Sequence, residues 1–202
     1  MLILCSNGLS SEKLCAFLSP HFQNAKTAAL VVTADPVYKE KNYHVVRCQN
    51  ELSKFGLTTD IFDIDLQSAE QLLTYDIVEF IGGNPFYLLH AVQKHHAESI
   101  LKEIAEKKIL IGWSAAVFVF GPTLELVNRY SPEMNICQLE NLQALSLTDI
   151  EVLPHYSKFL KRIPHFEETC REYEETHHKQ VLRLNDGDGI LIDGSDVISC
   201  YA

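Results

Sequence analysis

The stretch Gly112-Trp113-Ser114-Ala115-Ala116 has the residue types and spacing of a turn built around a nucleophile. A short apolar run, Ile109 to Ile111, precedes it and a second apolar stretch follows at once, which is the pattern of strand, sharp turn and helix. Such a turn lifts a hydroxyl clear of the backbone. It needs small residues at Gly112 and Ala116, where strand and helix come close, and it holds the serine in a strained conformation. The free N–H groups at the start of the helix face the place where an acyl oxyanion would form. The chemistry expected of Ser114 is therefore attack on a carbonyl carbon; from five residues alone, a plain packed turn is the alternative.

Three further positions could join it. Tyr75 to Ile81 reads as a strand running into Gly82-Gly83, a turn whose N–H groups could receive an anion or could simply close a loop. It lacks the G-x-G-x-x-G spacing of a dinucleotide site. Pro154 should end a strand over Leu145 to Leu153, because proline cannot donate to the ladder, and this leaves His155 just past a strand end. Asp186 and Asp188 sit in an Asn-Asp-Gly-Asp turn, where they either form the turn or orient a histidine. His95-His96 and His177-His178 are poor metal pairs, since adjacent residues on a helix point apart.

The elements that must position these residues alternate. Leu2 to Cys5 is a first strand, with Ser10 or Ser11 starting a helix that runs to about Phe22; Ala28 to Thr33 is a continuous apolar strand of the kind covered on both faces. Lys39 to Phe55 reads as an amphipathic helix closed by Gly56, Thr58 to Asp65 as a strand, Ser68 to Leu73 as a short helix, and Phe86 to Glu106 as one or two helices. Gly121-Pro122 ends the helix after Ser114, Thr123 to Asn141 is polar and irregular, and Phe166 to His178 is helical. Val181 to Leu184 and Gly189 to Ile192 read as a hairpin around the Asp186 turn, with a last strand over Val197 to Tyr201. The implied class is α/β: a doubly wound, mostly parallel sheet with helices on both faces and antiparallel hairpins at the carboxyl end. Sites in such sheets form beyond the carboxyl ends of the strands.

With 202 residues, 47% of them hydrophobic and 22% charged, the chain suits one globular domain over residues 1–202. A net charge of −10 argues against a nucleic-acid partner. Six cysteines without C-x-x-C or zinc-like spacing fit reduced thiols and a cytoplasmic location. The longest apolar stretch, Ile109 to Phe120, is too short to span a bilayer, so no membrane partner is expected.

Gly82-Gly83-Asn84-Pro85-Phe86-Tyr87-Leu88-Leu89, Ile111-Gly112-Trp113-Ser114-Ala115 and Pro154-His155-Tyr156, taken in order, resemble the aspartyl dipeptidase (peptidase E) family of serine peptidases, relatives of cyanophycinase. The likeness runs over most of the chain, from the first strand ending Ser6-Asn7 to the last hairpins. It implies a class I glutamine amidotransferase-like fold and a Ser-His-Glu triad; the expected substrate is a small peptide, with no cofactor, and the expected state a monomer or homodimer. Carried over by position, Ser114 is the nucleophile, His155 the base, and Gly83 and Ala115 the oxyanion-hole residues. The triad acid falls on Asp186, one methylene shorter than the family's glutamate, with Asp188 and Glu125 as alternatives. Ala116 stands where the family commonly has glycine, and Arg129 near an expected aspartate, which speaks against the usual Asp-Xaa specificity. An inactive ligand-binding or regulatory protein on the same fold is the rival reading, and a phosphate or nucleotide binder a third.

Overall fold

The apolar runs do form the middle of a sheet. In the computed structural model, which describes residues 1–202, β1 (Leu2–Cys5), β2 (Thr27–Val31), β3 (Thr58–Phe62), β4 (Ile77–Phe80) and β5 (Ile109–Trp113) run parallel in the order β3-β2-β4-β5-β1. The four central strands are buried almost residue for residue, as continuous apolar runs demand when both faces are covered. Two antiparallel strands, β8 (Gly189–Asp193) and β9 (Asp196–Cys200), extend the sheet beyond β1.

Helices cover both faces. α1 (Glu12–Phe22), capped by the Ser11 hydroxyl accepting from Leu14 N–H, and α2 (His44–Ser53) pack Leu14, Leu18, Phe22, Val45, Cys48 and Leu52 on one side. On the other lie α3 (Pro85–Lys94), α4 (Glu98–Lys107), α5 (Ala115–Phe120), α6 (Glu125–Tyr130), α7 (Tyr156–Arg162) and α8 (Phe166–His177). The neighbouring strands β1 and β5 thus send the helices that follow them to opposite faces, which opens a crevice at their carboxyl ends. The register aligns the strand ends: Cys5 pairs with Trp113 and Phe80 with Gly112, so the chain leaves β1, β4 and β5 side by side.

Several elements differ from those expected. The helix over Lys39 to Phe55 divides into a 3-10 turn, Lys39–Lys41, and α2, because Asp35 draws Asn42 into a loop through a 2.6 Å hydrogen bond. A short helix, α6, interrupts the region expected to be irregular. The strand over Leu145 to Leu153 shrinks to β6 (Glu151–Leu153), since the N–H groups of Leu145 and Leu147 turn to the carbonyls at the end of α5. β7 (Val181–Arg183) is no hairpin partner of β8: it pairs in parallel with β6 in a separate two-stranded sheet, while β8 crosses to β1. The hairpin at the carboxyl end is β8–β9, closed at Gly194 with φ +59°.

Packing at the β5–α5 junction explains Gly112. A Cβ there would sit 2.5 Å from Cε2 of the fully buried Phe120 and 3.1 Å from the Ala116 methyl. Gly112→Ala is expected to lower stability by about 1–3 kcal/mol, the usual cost of overpacking, measured as the urea midpoint; an unchanged midpoint would contradict this close approach.

Candidate functional site

Between β5 and α5 the backbone turns at a single residue. Ser114 takes φ +54° and ψ −112°, a conformation that costs a non-glycine residue on the order of 1–3 kcal/mol. Three contacts hold it there: its N–H points at the Cys5 carbonyl at 3.4 Å, its carbonyl accepts from Val117 N–H at 3.1 Å, and Gly82 lies against its Cβ. The turn after β4 approaches equally closely. A Cβ on Gly82 would fall 2.6 Å from the Trp113 ring, and one on Gly83 would fall 2.3 Å from the Ala34 carbonyl oxygen. Both positions therefore admit only glycine. Gly83 N–H donates to no backbone carbonyl, and Ala115 opens α5 directly after the serine.

His155 arrives from the other sheet. Pro154 ends β6, and the histidine, in the left-handed region at φ +56°, precedes α7 as its N-terminal cap residue. Its N–H donates to Ser6 Oγ at 2.8 Å, and the next N–H, of Tyr156, reaches Leu184 O at 3.1 Å. The backbone is thus tied to the ends of β1 and β7. Its Nδ1 lies 2.6 Å from Asp186 Oδ1, which also accepts from Ser6 Oγ at 3.0 Å. Lys158 Nζ binds the other carboxylate oxygen.

The structure brings Ser114, Gly83, His155 and Asp186 to one edge and separates the other acids from it. Asp188 accepts the N–H groups of Asn185 and Ala202, each at 2.8 Å, and shapes the turn that carries Asp186. Glu125 pairs with His177 at 3.3 Å. Arg129 lies over the Tyr173 ring and against His177, away from Ser114. His95 faces Asp65 at 3.3 Å.

Electrostatics sets the protonation of this group. Burial opposes ionisation of Asp186, but hydrogen bonds from Lys158, His155 and Ser6 outweigh it and hold the carboxyl below its ordinary range. Burial lowers the His155 pKa; Asp186 pulls it back up, Lys158 and Arg162 push it down, and the result stays below the ordinary value. The imidazole is neutral at pH 7. Because an ionised carboxylate only accepts, Nδ1 carries the proton and Nε2 keeps a lone pair.

A cavity of about 360 Å³ lies over these groups. Gly82, Gly83 and Ser114 line one side and His155, Phe159 and Arg162 another. The third wall, Asn42 to His44, belongs to the loop after β2. That loop is fastened by Asp35 accepting from Val37 and Tyr38 N–H, and by Lys39 reaching Asp63 at 3.1 Å and Asp65 at 2.5 Å. Trp113 underlies the cavity, its Nε1 donating to Glu79 Oε1 at 3.0 Å and its ring beneath the Arg47 guanidinium. Burial, with Glu51 nearby, pushes the Glu79 carboxyl up to about 8, and burial beside Arg47 pushes His44 down to about 4. Sequence reasoning missed Ser6 as a partner of both His155 and Asp186, although its place at a strand end was a signal. It also missed Glu79 and the 42–44 wall, which no local motif marks.

The family model of peptidase family S51 matches residues 2–200. An uncharacterized peptidase of Listeria monocytogenes, Lmo0363, is 30% identical over 180 residues, covering 86% of this chain and 85% of its own. A peptidase E of Shewanella baltica is 34% identical over 107 residues, 52% of this chain and 43% of its own. Among solved structures, a Listeria monocytogenes protein with a provisional peptidase E name superposes with a TM-score of 0.78 at 27% identity, covering 100% of this chain and 98% of that one. A peptidase from an acI-B1 actinobacterium shares the fold, with a TM-score of 0.76 at 15% identity over 100% of this chain and 87% of that one. No helix is long and apolar enough to cross a membrane. With the family model spanning nearly the whole chain and a strained serine at the edge of its sheet, the protein belongs to peptidase family S51 and is a peptidase.

Proposed function

We propose that the protein is a serine peptidase that cleaves short peptides through an acyl-enzyme on Ser114. The observation that carries this reading is His155, with Nδ1 2.6 Å from Asp186, lining the same cavity as a serine with φ +54°. His155 Nε2 takes the Ser114 proton as Oγ attacks the peptide carbonyl carbon, and the N–H groups of Gly83 and Ala115 receive the oxyanion. The imidazolium, stabilised by Asp186, then protonates the leaving amine as the C–N bond breaks. Water, deprotonated by the same nitrogen, attacks the ester and releases the acid and the free serine.

The cavity supports a small anionic peptide. Its volume of about 360 Å³ lies at the low end of ligand pockets, and in a chain of net charge −10 its lining contains Lys158 and Arg162 but no acid. Lys158 is occupied by Asp186, whereas Arg162 has no acidic partner and is available to a substrate carboxylate.

A fluorophosphonate probe, read by intact mass and peptide mapping, should label Ser114 in the wild type. Labelling should vanish in Ser114→Ala and fall by about 100-fold or more in His155→Ala, in line with loss of general-base help. A folded wild type that takes no label would instead support the inactive binding protein. The acid limb of kcat/KM should fall below pH 6.5, because His155 titrates below its ordinary value; a limb at or above that pH would count against His155 as the base.

A further inference from the structure

Asp186 is bracketed by two residues that the triad chemistry does not require. Each carboxylate oxygen has its own fastening: Oδ1 accepts from His155 and Ser6, and Oδ2 from Lys158. Lys158 lies in the first turn of α7, three residues after His155, the residue that precedes that helix. Phe159, four residues on, meets the imidazole edge-on at 5.8 Å between centroids. Ser6 is fully buried, and both hydrogen bonds of its hydroxyl go to the pair. Its oxygen satisfies the His155 N–H, which the helix leaves without a partner.

We infer that Lys158 and Ser6 are positioning residues that clamp Asp186 against His155. An aspartate side chain is short, so its carboxylate has to be carried to the imidazole by the turn and held there from behind. Lys158 closes the outer side and Ser6 the inner side. The Lys158 ammonium is half exposed, so its ion pair adds little to folding stability; its effect is on orientation and on the local field. The clamp rests on reading His155 as the base, yet it can be measured without any turnover.

The charged and titratable groups facing His155 are Asp186 from the turn before β8, Lys158 and Arg162 from α7, and His44 from the start of α2. Asp186 is the one anion among them, and Lys158 opposes it. Lys158→Met keeps the stem and removes the charge that fastens Asp186 Oδ2, leaving Arg162 as the cation that still faces the pair. The Nδ1 proton resonance of His155, read by NMR, should then broaden as Asp186 loosens from the imidazole, and Lys158→Arg, which keeps the charge, should restore it.

In Ser6→Ala, fluorophosphonate labelling of Ser114 should slow by about 10-fold or more, and the Nδ1 proton resonance should broaden as the Asp186 contact loosens. A sharp, unshifted His155 Nδ1 proton resonance in Lys158→Met, or Ser6→Ala labelling at the wild-type rate, would overturn the clamp. Absence of labelling in the wild type would overturn the serine-peptidase reading, while the Nδ1 resonance in Lys158→Met would still decide the clamp.

Discussion

The parallel register of β1, β4 and β5 is the constraint on which the site depends. Because Cys5 faces Trp113 and Phe80 faces Gly112, three chains leave the sheet at one level. Space for a side chain is lacking at Gly82 and Gly83, where the chain turns after β4, and at Gly112 within β5, just before the Ser114 turn. A slip of one residue in β5 would exchange the faces of Trp113 and Gly112 and send the Ser114 hydroxyl into the core. The strain at Ser114 persists because the sheet, the buried α5 and the Gly82 turn over-determine its backbone.

A second layer of control is electrostatic. The chain is acidic overall, yet the cavity is lined by cations and neutral groups. Acids near it are taken up: Asp186 by His155, Lys158 and Ser6, and Asp63 and Asp65 by Lys39. Glu79 lies wholly within the core beneath Trp113 and stays mostly protonated at pH 7. Unpaired negative charge would otherwise oppose both the oxyanion and an anionic substrate.

Much of this was legible from local pattern. Continuous apolar runs at Leu2 to Cys5, Ala28 to Thr33 and Ile109 to Ile111 identify covered strands because burial on both faces removes the alternation of an exposed strand. Gly112, Ser114 and the glycines at 82 and 83 identify the turns for the same steric reason that the structure displays. What was not legible depends on contacts between residues far apart in the chain. β7 is apolar and short enough to suit a hairpin with β8, and only the pairing of β1 with β8 diverts it to β6. Asn42 broke an amphipathic pattern through Asp35, seven residues away. Ser6 meets His155 across 149 residues, and no local spacing encodes that contact.

The most direct test of the account is a crystal structure of the protein after reaction with a fluorophosphonate. The phosphonyl oxygen should lie within about 2.7–3.1 Å of the N–H groups of both Gly83 and Ala115, the distance at which such donors stabilise an oxyanion. His155 Nε2 should face the phosphonate. An adduct on another residue, or a Ser114 adduct whose oxygen points to solvent with neither N–H engaged, would contradict it.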